Sequence, residues 1–172
     1  IERGEVQLDV SVDSLNGGPG AMRAKLDTRI QPSPVEISGH FQDVRTADDK
    51  PTYPRSGFFE SSSRGNTTAA LAANLNGTIY LELGAGPFDY VNFSMFTADL
   101  ASQIGNALIP GIEKSDPQLE CGVLLGEFKD GIGTTPVGYT LRTDRANLLG
   151  SMKVDLVKET LEIGIDSRSR QG

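Results

Sequence analysis

Apolar and polar residues alternate with a period of two over long stretches of this chain, which constrains the fold more than any other sequence feature. In EVQLDVSVD, residues 5–13, every second side chain is Val or Leu, and those between are Glu, Gln, Asp or Ser. Successive side chains of a β-strand point to opposite faces, so the pattern predicts a strand with one apolar and one wetted face. The alternation recurs in residues 21–30 and 34–42, with turn-forming SLNGGPG before the first of these. Consecutive strands of this kind indicate an antiparallel sheet.

The C-terminal third returns to the same period. Alternating segments predict strands in residues 118–128, 137–141, 146–156 and 160–167. In the first of them, the residues predicted to share the apolar face are Leu119, Cys121, Val123 and Leu125. KDGIG and VKET are predicted to form turns between these strands. Strands and helices do not alternate regularly, which argues against a parallel dinucleotide-binding sheet.

Two segments have the period of a helix instead. NTTAALAANLNGTIYLEL, residues 66–83, predicts a short helix over 67–75 that leads into a strand. The break is expected at Asn76 and Gly77, because both residue types tolerate the left-handed backbone that commonly ends a helix. A second helix is predicted over 93–108, where the apolar stripe consists of Phe93, Phe96, Leu100, Ile104 and Leu108.

Composition limits the classes of partner. The net charge is −7 and the 16 basic residues are scattered, which argues against nucleic acid and against anionic membrane surfaces. A hydrophobic content of 37%, with 20 glycines and no Trp, suits a thin sheet or open shell better than a thick core. The chain starts with Ile1 rather than Met, so we expect it to be a piece of a longer protein.

Residues that could perform catalysis are few. The only Cys, Cys121, is predicted to be a buried small hydrophobe, and the only His, His40, a solvated residue on a polar face. A single His and a single Cys give no metal-ligand spacing, and no GxSxG nucleophile elbow is present. We therefore expect no enzymatic activity and no cofactor.

Together these patterns predict a mainly β fold: a curved antiparallel meander sheet, forming an open barrel or groove with one apolar face, and two short helices that cap it or pack on it. We expect one domain over residues 1–172. Its expected parts are strands and a long loop at 1–63, a helix, strand and helix at 64–110, closing strands at 111–167 and a disordered tail at 168–172. Two narrow helices cannot cover so wide a face. The remainder must fold onto itself, meet another domain, or stay available to an apolar ligand.

Three segments resemble the bacterial AsmA-like family. RGNTTAALAANLNGTIYLELGAG resembles the family's small helix that ends in Leu-Asn-Gly and leads into a strand, and FSMFTADLASQIGNALIP resembles its apolar helix. LECGVLLGEFKDGIGTTPVGYTLRTDRANLLGSMKVDLVKETLEIGI is similar to its closing segment. The order and spacing of these motifs carry the resemblance, whereas residues before Arg64 match only as generic alternating strands.

The resemblance implies a periplasmic domain of a protein anchored in the inner membrane. Such a protein would support outer-membrane assembly and carry phospholipid through a hydrophobic β-groove, without enzymatic activity. Its partners would be phospholipid acyl chains and the rest of the full-length protein, including the membrane anchor. We expect the lining of the groove or core to include Val10, Leu26, Ile37, Leu81 and Val123, and the capping helix to contribute Phe93, Phe96, Leu100 and Ile104. The alternative is a structural cap or protein-interaction domain with a closed core and no lipid binding.

Overall fold

A computed structural model describes residues 4–15, 17–45, 53–87 and 118–170. Of these residues, 71% are in strands, and the strands form one antiparallel sheet of eleven. The mainly β prediction is therefore confirmed. The strands are β1 Glu5–Leu15, β2 Gly18–Asp27, β3 Pro34–Val44, β4 Arg55–Arg64, β5 Asn76–Leu83, β6 Gly86–Pro87, β7 Gln118–Lys129, β8 Ile132–Thr134, β9 Tyr139–Thr143, β10 Ala146–Asp155 and β11 Thr160–Ser169.

The topology is a meander. Each strand from β1 to β5 pairs with the next, β5 pairs with β7, and the path continues through β8 and β10 to β11. The short β6 adds to β7, and β9 pairs with both β7 and β10. The sheet is not a closed barrel, so β1 and β11 are its two edges.

Two predicted turns are confirmed. Asp130 and Gly131 form the two-residue connection between β7 and β8, with φ angles of 49° and 76°. Positive φ at both residues is characteristic of a type I′ hairpin, which explains the Asp-Gly sequence. Between β10 and β11, the Asp155 carboxylate accepts hydrogen bonds from the backbone N–H groups of Val157 and Lys158 and holds the second turn.

The first helix, α1, spans Thr68–Ala73 and is the one helix within the described residues. Thr67 caps it by accepting a hydrogen bond from the Ala70 N–H at 3.2 Å. The predicted left-handed end at Asn76 and Gly77 is wrong. The helix ends at Ala73 and is capped by Asn74, whose φ is −109°, and both predicted residues already belong to β5. The amide of Asn74 donates to the carbonyls of Arg64 and Ala70, so a side chain stabilises the helix end without left-handed backbone.

Two other predictions concern the later part of the chain. The second helix, at 93–108, lies outside the described residues. The tail prediction is wrong for Arg168 to Arg170, because β11 runs to Ser169 and the Arg170 N–H donates to the Arg145 carbonyl at 2.7 Å. Backbone pairing with β10 orders this segment although its sequence no longer alternates.

The buried core is small and lies toward the C-terminal half of the sheet. Its members are Tyr53, Leu83, Leu119, Leu141, Ala146 and Leu148, and Leu81 packs against them. Thr143 is also fully buried, and its hydroxyl satisfies its hydrogen bonds by accepting from the Ala146 N–H and donating to the Ala146 carbonyl. A core of this size leaves much of the sheet with solvent on both sides.

Candidate functional site

Cross-strand register collects most of the predicted lining residues on one face of the sheet. Directly opposed residues of antiparallel strands project to the same face. Val10 opposes Met22, Leu26 opposes Val35, and Ile37 opposes Ala24. The cross-strand pairs of the following strands place Leu81 on this side too. We call it the apolar face; its larger members include Val6, Leu8, Val10, Val12, Met22, Leu26, Val35, Ile37, Phe41, Phe59, Ile79, Leu81, Leu124, Tyr139, Met152, Ile163 and Ile165.

Val123 does not lie on this face, whereas the other four residues predicted to line the groove or core do. Val123 opposes Glu82, whereas the apolar neighbour Leu81 opposes Leu124. The cause is a register shift between Leu119 and Cys121 in β7. Such a bulge reverses the parity, so that Leu119 stays in the core while the following odd-numbered residues project to the other side.

Exposure varies along the apolar face. At the N-terminal edge, Val6 is 60% exposed, Leu8 50% and Val10 39%, and Ile37 in β3 is also exposed. Leu26 is half-buried, as is Leu81, whereas Leu119 is only 1% exposed. The face is therefore most exposed on β1–β3, the open region, and has its buried core between β5 and β10, although Ile79 and Leu161 are also 40% and 45% exposed.

Glycines lie directly opposite large side chains along the apolar face. Gly39 opposes Phe59, Gly133 opposes Phe128 and Gly150 opposes Tyr139. A methyl group at Gly39 would come within 2.7 Å of the Phe59 ring, and one at Gly133 within 2.6 Å of the Phe128 ring. Each ring thus occupies the space that a Cβ would take. The rings therefore lie close to the backbone, and this face of the sheet is shallow. The sequence shows these glycines but not the rings that oppose them.

The opposite side, the polar face, carries ion pairs between β1 and β2 and in the turn after β2. Glu5 binds Lys25 at 3.1 Å and Arg29 at 2.6 Å, and Asp9 binds Arg23. Hydrogen bonds from the Arg29 side chain and backbone lower the pKa of Asp27 from 3.8 to about 2. The pairs of Glu5 and Asp9 are exposed to water, so they favour the strand register more than they add stability, whereas the Asp27 side chain is only 12% exposed.

A small apolar strip crosses the polar face at its centre. Phe58 and Tyr80 stack with ring centroids 5.6 Å apart, and Leu125 opposes Tyr80. Val123 lies on the same side, two residues from Leu125. Among the displaced odd-numbered residues of β7, Leu125 has an apolar neighbour in this strip, whereas Val123 opposes Glu82 and Thr140.

The described residues offer little for catalysis. Cys121 is exposed, so its predicted burial is wrong, and the bulge that displaces Val123 also turns this thiol outward. His40 is exposed on the polar face opposite Phe58. No group of three or more His, Cys, Asp or Glu side chains among the described residues could hold a metal ion.

A cleft of about 380 Å³ lies beside β8, β10 and β11. Its lining mixes polar residues, including Thr134, Ser151 and Glu162, with Met152 and Ile163. The cleft is open and only partly apolar, so it does not enclose an acyl chain. An apolar ligand would instead lie along the exposed part of the apolar face.

The predicted cap residues Phe93, Phe96, Leu100 and Ile104 lie outside the described residues. Within the described part of the chain, no helix has the length and apolar character needed to cross a membrane. No protein-family model matches the chain, and neither a curated protein nor a solved structure is detectably similar to it.

Proposed function

We propose that this chain is a non-enzymatic lipid-binding domain of the AsmA-like kind, whose apolar face holds phospholipid acyl chains. The observation that supports this most is the continuity of the apolar face. Apolar side chains and glycines predominate on it from β1 to β11, with Ser61 and Ser63 of β4 among them, yet the buried core occupies only its C-terminal part. Val6, Leu8, Val10 and Met22 are each 39–60% exposed, which is a costly surface for a domain with no apolar partner.

Acyl chains fit this surface chemically. Each methylene removed from water contributes about 0.8 kcal/mol, so two chains contacting the open region would supply ample binding free energy. Phospholipid headgroups would remain in water at the rim. The wider role follows from the resemblance: a periplasmic domain, anchored to the inner membrane in the full-length protein, that supports outer-membrane assembly by phospholipid transport.

The first experiment is native mass spectrometry of the purified chain, followed by organic extraction and lipid identification. We expect phospholipid in defined stoichiometry. Val10→Asp puts a charge in the open region of the apolar face and should remove most of the lipid. Gln7→Asp adds a charge to the polar face of the same strand and serves as the matched control, so it should leave the lipid in place. Circular dichroism checks that both variants fold.

A structural cap or protein-interaction domain with a closed core is the second candidate. The tightly packed cluster around Leu119, Leu141 and Leu148 favours it. A mass without bound lipid, with no lipid acquired from phospholipid vesicles, would support this alternative and refute the lipid-binding proposal.

A further inference from the structure

Among the described residues, no strand pairs with the outer edge of β1. Among the described strands β1 pairs only with β2, and every residue from Glu5 to Ser14 is exposed. The Thr28 N–H donates to the Gly4 carbonyl at 2.9 Å, which marks Gly4 and Thr28 as a hydrogen-bonded pair. Hydrogen-bonded pairs alternate along an antiparallel ladder, so Val6, Leu8 and Val10 bond to β2. The backbone N–H and C=O groups of Glu5, Gln7, Asp9 and Ser11 consequently point outward.

This edge carries only part of the usual protection against strand addition. Natural edge strands are commonly short, bulged, charged, or interrupted by Pro. β1 has eleven residues and contains neither Lys nor Pro. Its register with β2 is regular from Glu5 to Val12, and the shift comes only after that. Four outward-pointing residues in regular register therefore form a template for an additional strand.

Charge distinguishes between the strands that could add. The polar face of β1 carries Glu5, Asp9 and Asp13 and no cation. Lys25, Arg29 and Arg23 approach the first two carboxylates from the β2 side. A new strand with Lys or Arg at the opposing positions would place cations on the outer side as well, which cross-strand pairing favours.

A second copy of β1 would bring carboxylates and no cation to the same edge. Antiparallel pairing centred on Asp9 would oppose that carboxylate with its own copy. Like charges directly opposite one another destabilise a sheet. The exposed valines and Leu8 on the other side of β1 require apolar residues at the alternate positions of the incoming strand.

We propose that the β1 edge binds a strand of a partner protein in which basic and apolar residues alternate. The partner's backbone pairs with Glu5, Gln7, Asp9 and Ser11, its basic side chains lie over the carboxylates, and its apolar side chains extend the apolar face beyond Val10. This proposal is independent of lipid binding, because it rests on the strand edge and the polar face.

The test uses two labelled octapeptides, one alternating lysine with valine and one alternating glutamate with valine. Fluorescence anisotropy at low salt should show binding of the basic peptide at least about tenfold tighter than that of the acidic one. NMR hydrogen exchange should show protection of the Gln7, Asp9 and Ser11 amides when the basic peptide binds. Equal affinity for the two peptides, or no protection of these amides, would overturn the proposal.

A proline variant checks the geometry. Ser11→Pro removes an outward N–H and leaves the β2 hydrogen bonds of β1 in place, so it should weaken binding of the basic peptide about tenfold. Ser169→Pro makes the same change on the outer edge of β11 and should have no effect. If Ser11→Pro does not fold, a basic peptide N-methylated at every second residue tests the same bonds on the wild-type chain, and undiminished binding would refute the proposal. Self-association of the chain that protects these amides would overturn it in favour of a second copy.

Discussion

Truncating leucines at the two ends of the apolar face tests whether the face is part core and part open surface. Leu141 is 6% exposed and packs with Leu83, Leu119 and Leu148, whereas Leu8 is 50% exposed. Leu→Ala removes three carbons, worth about 2.4 kcal/mol of transfer free energy when the side chain is fully buried. A residual cavity adds to this, so Leu141→Ala should lower the free energy of unfolding by about 3–4 kcal/mol. Leu8→Ala loses about half the transfer contribution without leaving a cavity, so we expect about 1 kcal/mol.

Urea unfolding followed by far-ultraviolet circular dichroism measures both values, since the chain contains no Trp to serve as a fluorescent probe. With a slope of about 2 kcal/mol per molar urea, the midpoint should fall by about 1.5–2 M for Leu141→Ala and about 0.5 M for Leu8→Ala. Equal losses at the two sites would refute the division and indicate a face that is covered throughout. A loss below about 1 kcal/mol at Leu141 would show that the C-terminal cluster is not a core.

Three further variants or conditions test other parts of the structure. The pKa of Asp27 is lowered from 3.8 to about 2, so the Asp27 carboxylate contributes fully to stability above pH 3.8 and loses this contribution as the pH falls through about 2. Asp27→Asn should therefore reduce the acid dependence of the melting temperature. Gly131 has φ +76°, and a methyl group added there would lie 2.6 Å from the Ala72 carbonyl oxygen, so Gly131→Ala should lower the free energy of unfolding by at least about 1 kcal/mol. A methyl group at Gly4 would meet no atom within 4 Å, so Gly4→Ala should be nearly neutral in the same urea assay. Gly39→Ala should displace the Phe59 ring at a net cost of about 1–2 kcal/mol, and unchanged stability with unchanged Phe59 chemical shifts would contradict the ring placement.

Period-two alternation was sufficient to predict β1, β2 and β3 and the side of the sheet on which Val10, Leu26 and Ile37 lie. These strands alternate cleanly, and a slip by one residue would expose their whole apolar set on the wrong face. The Asp-Gly turn after β7 was also predictable, because few residue pairs accept positive φ at both positions.

The β7 strand shows where the same reasoning fails. Its centre, Val123, Leu124 and Leu125, is apolar at three successive positions, so either parity gives an apolar row. The bulge between Leu119 and Cys121 decides between them, and a bulge depends on tertiary pairing with β9 rather than on local residue preference. Val123 and Cys121 were consequently assigned to the wrong side together, by a single error of parity.

The bulge and the glycines together connect the sequence to the proposed site. By returning Leu119 to the apolar face, the bulge completes the core with Leu83 and Leu141 at one end of the sheet. Toward β1, glycines such as Gly39 let opposing rings lie close to the backbone, and the open region remains shallow. Under the proposed function, an extended acyl chain would lie on the shallow apolar surface without rearranging the domain, because the buried residues lie in the core beside it. Lipid binding and folding should therefore be separable by mutation: substitutions at Leu8 and Val10 act on the first, and those at Leu119 and Leu141 act on the second.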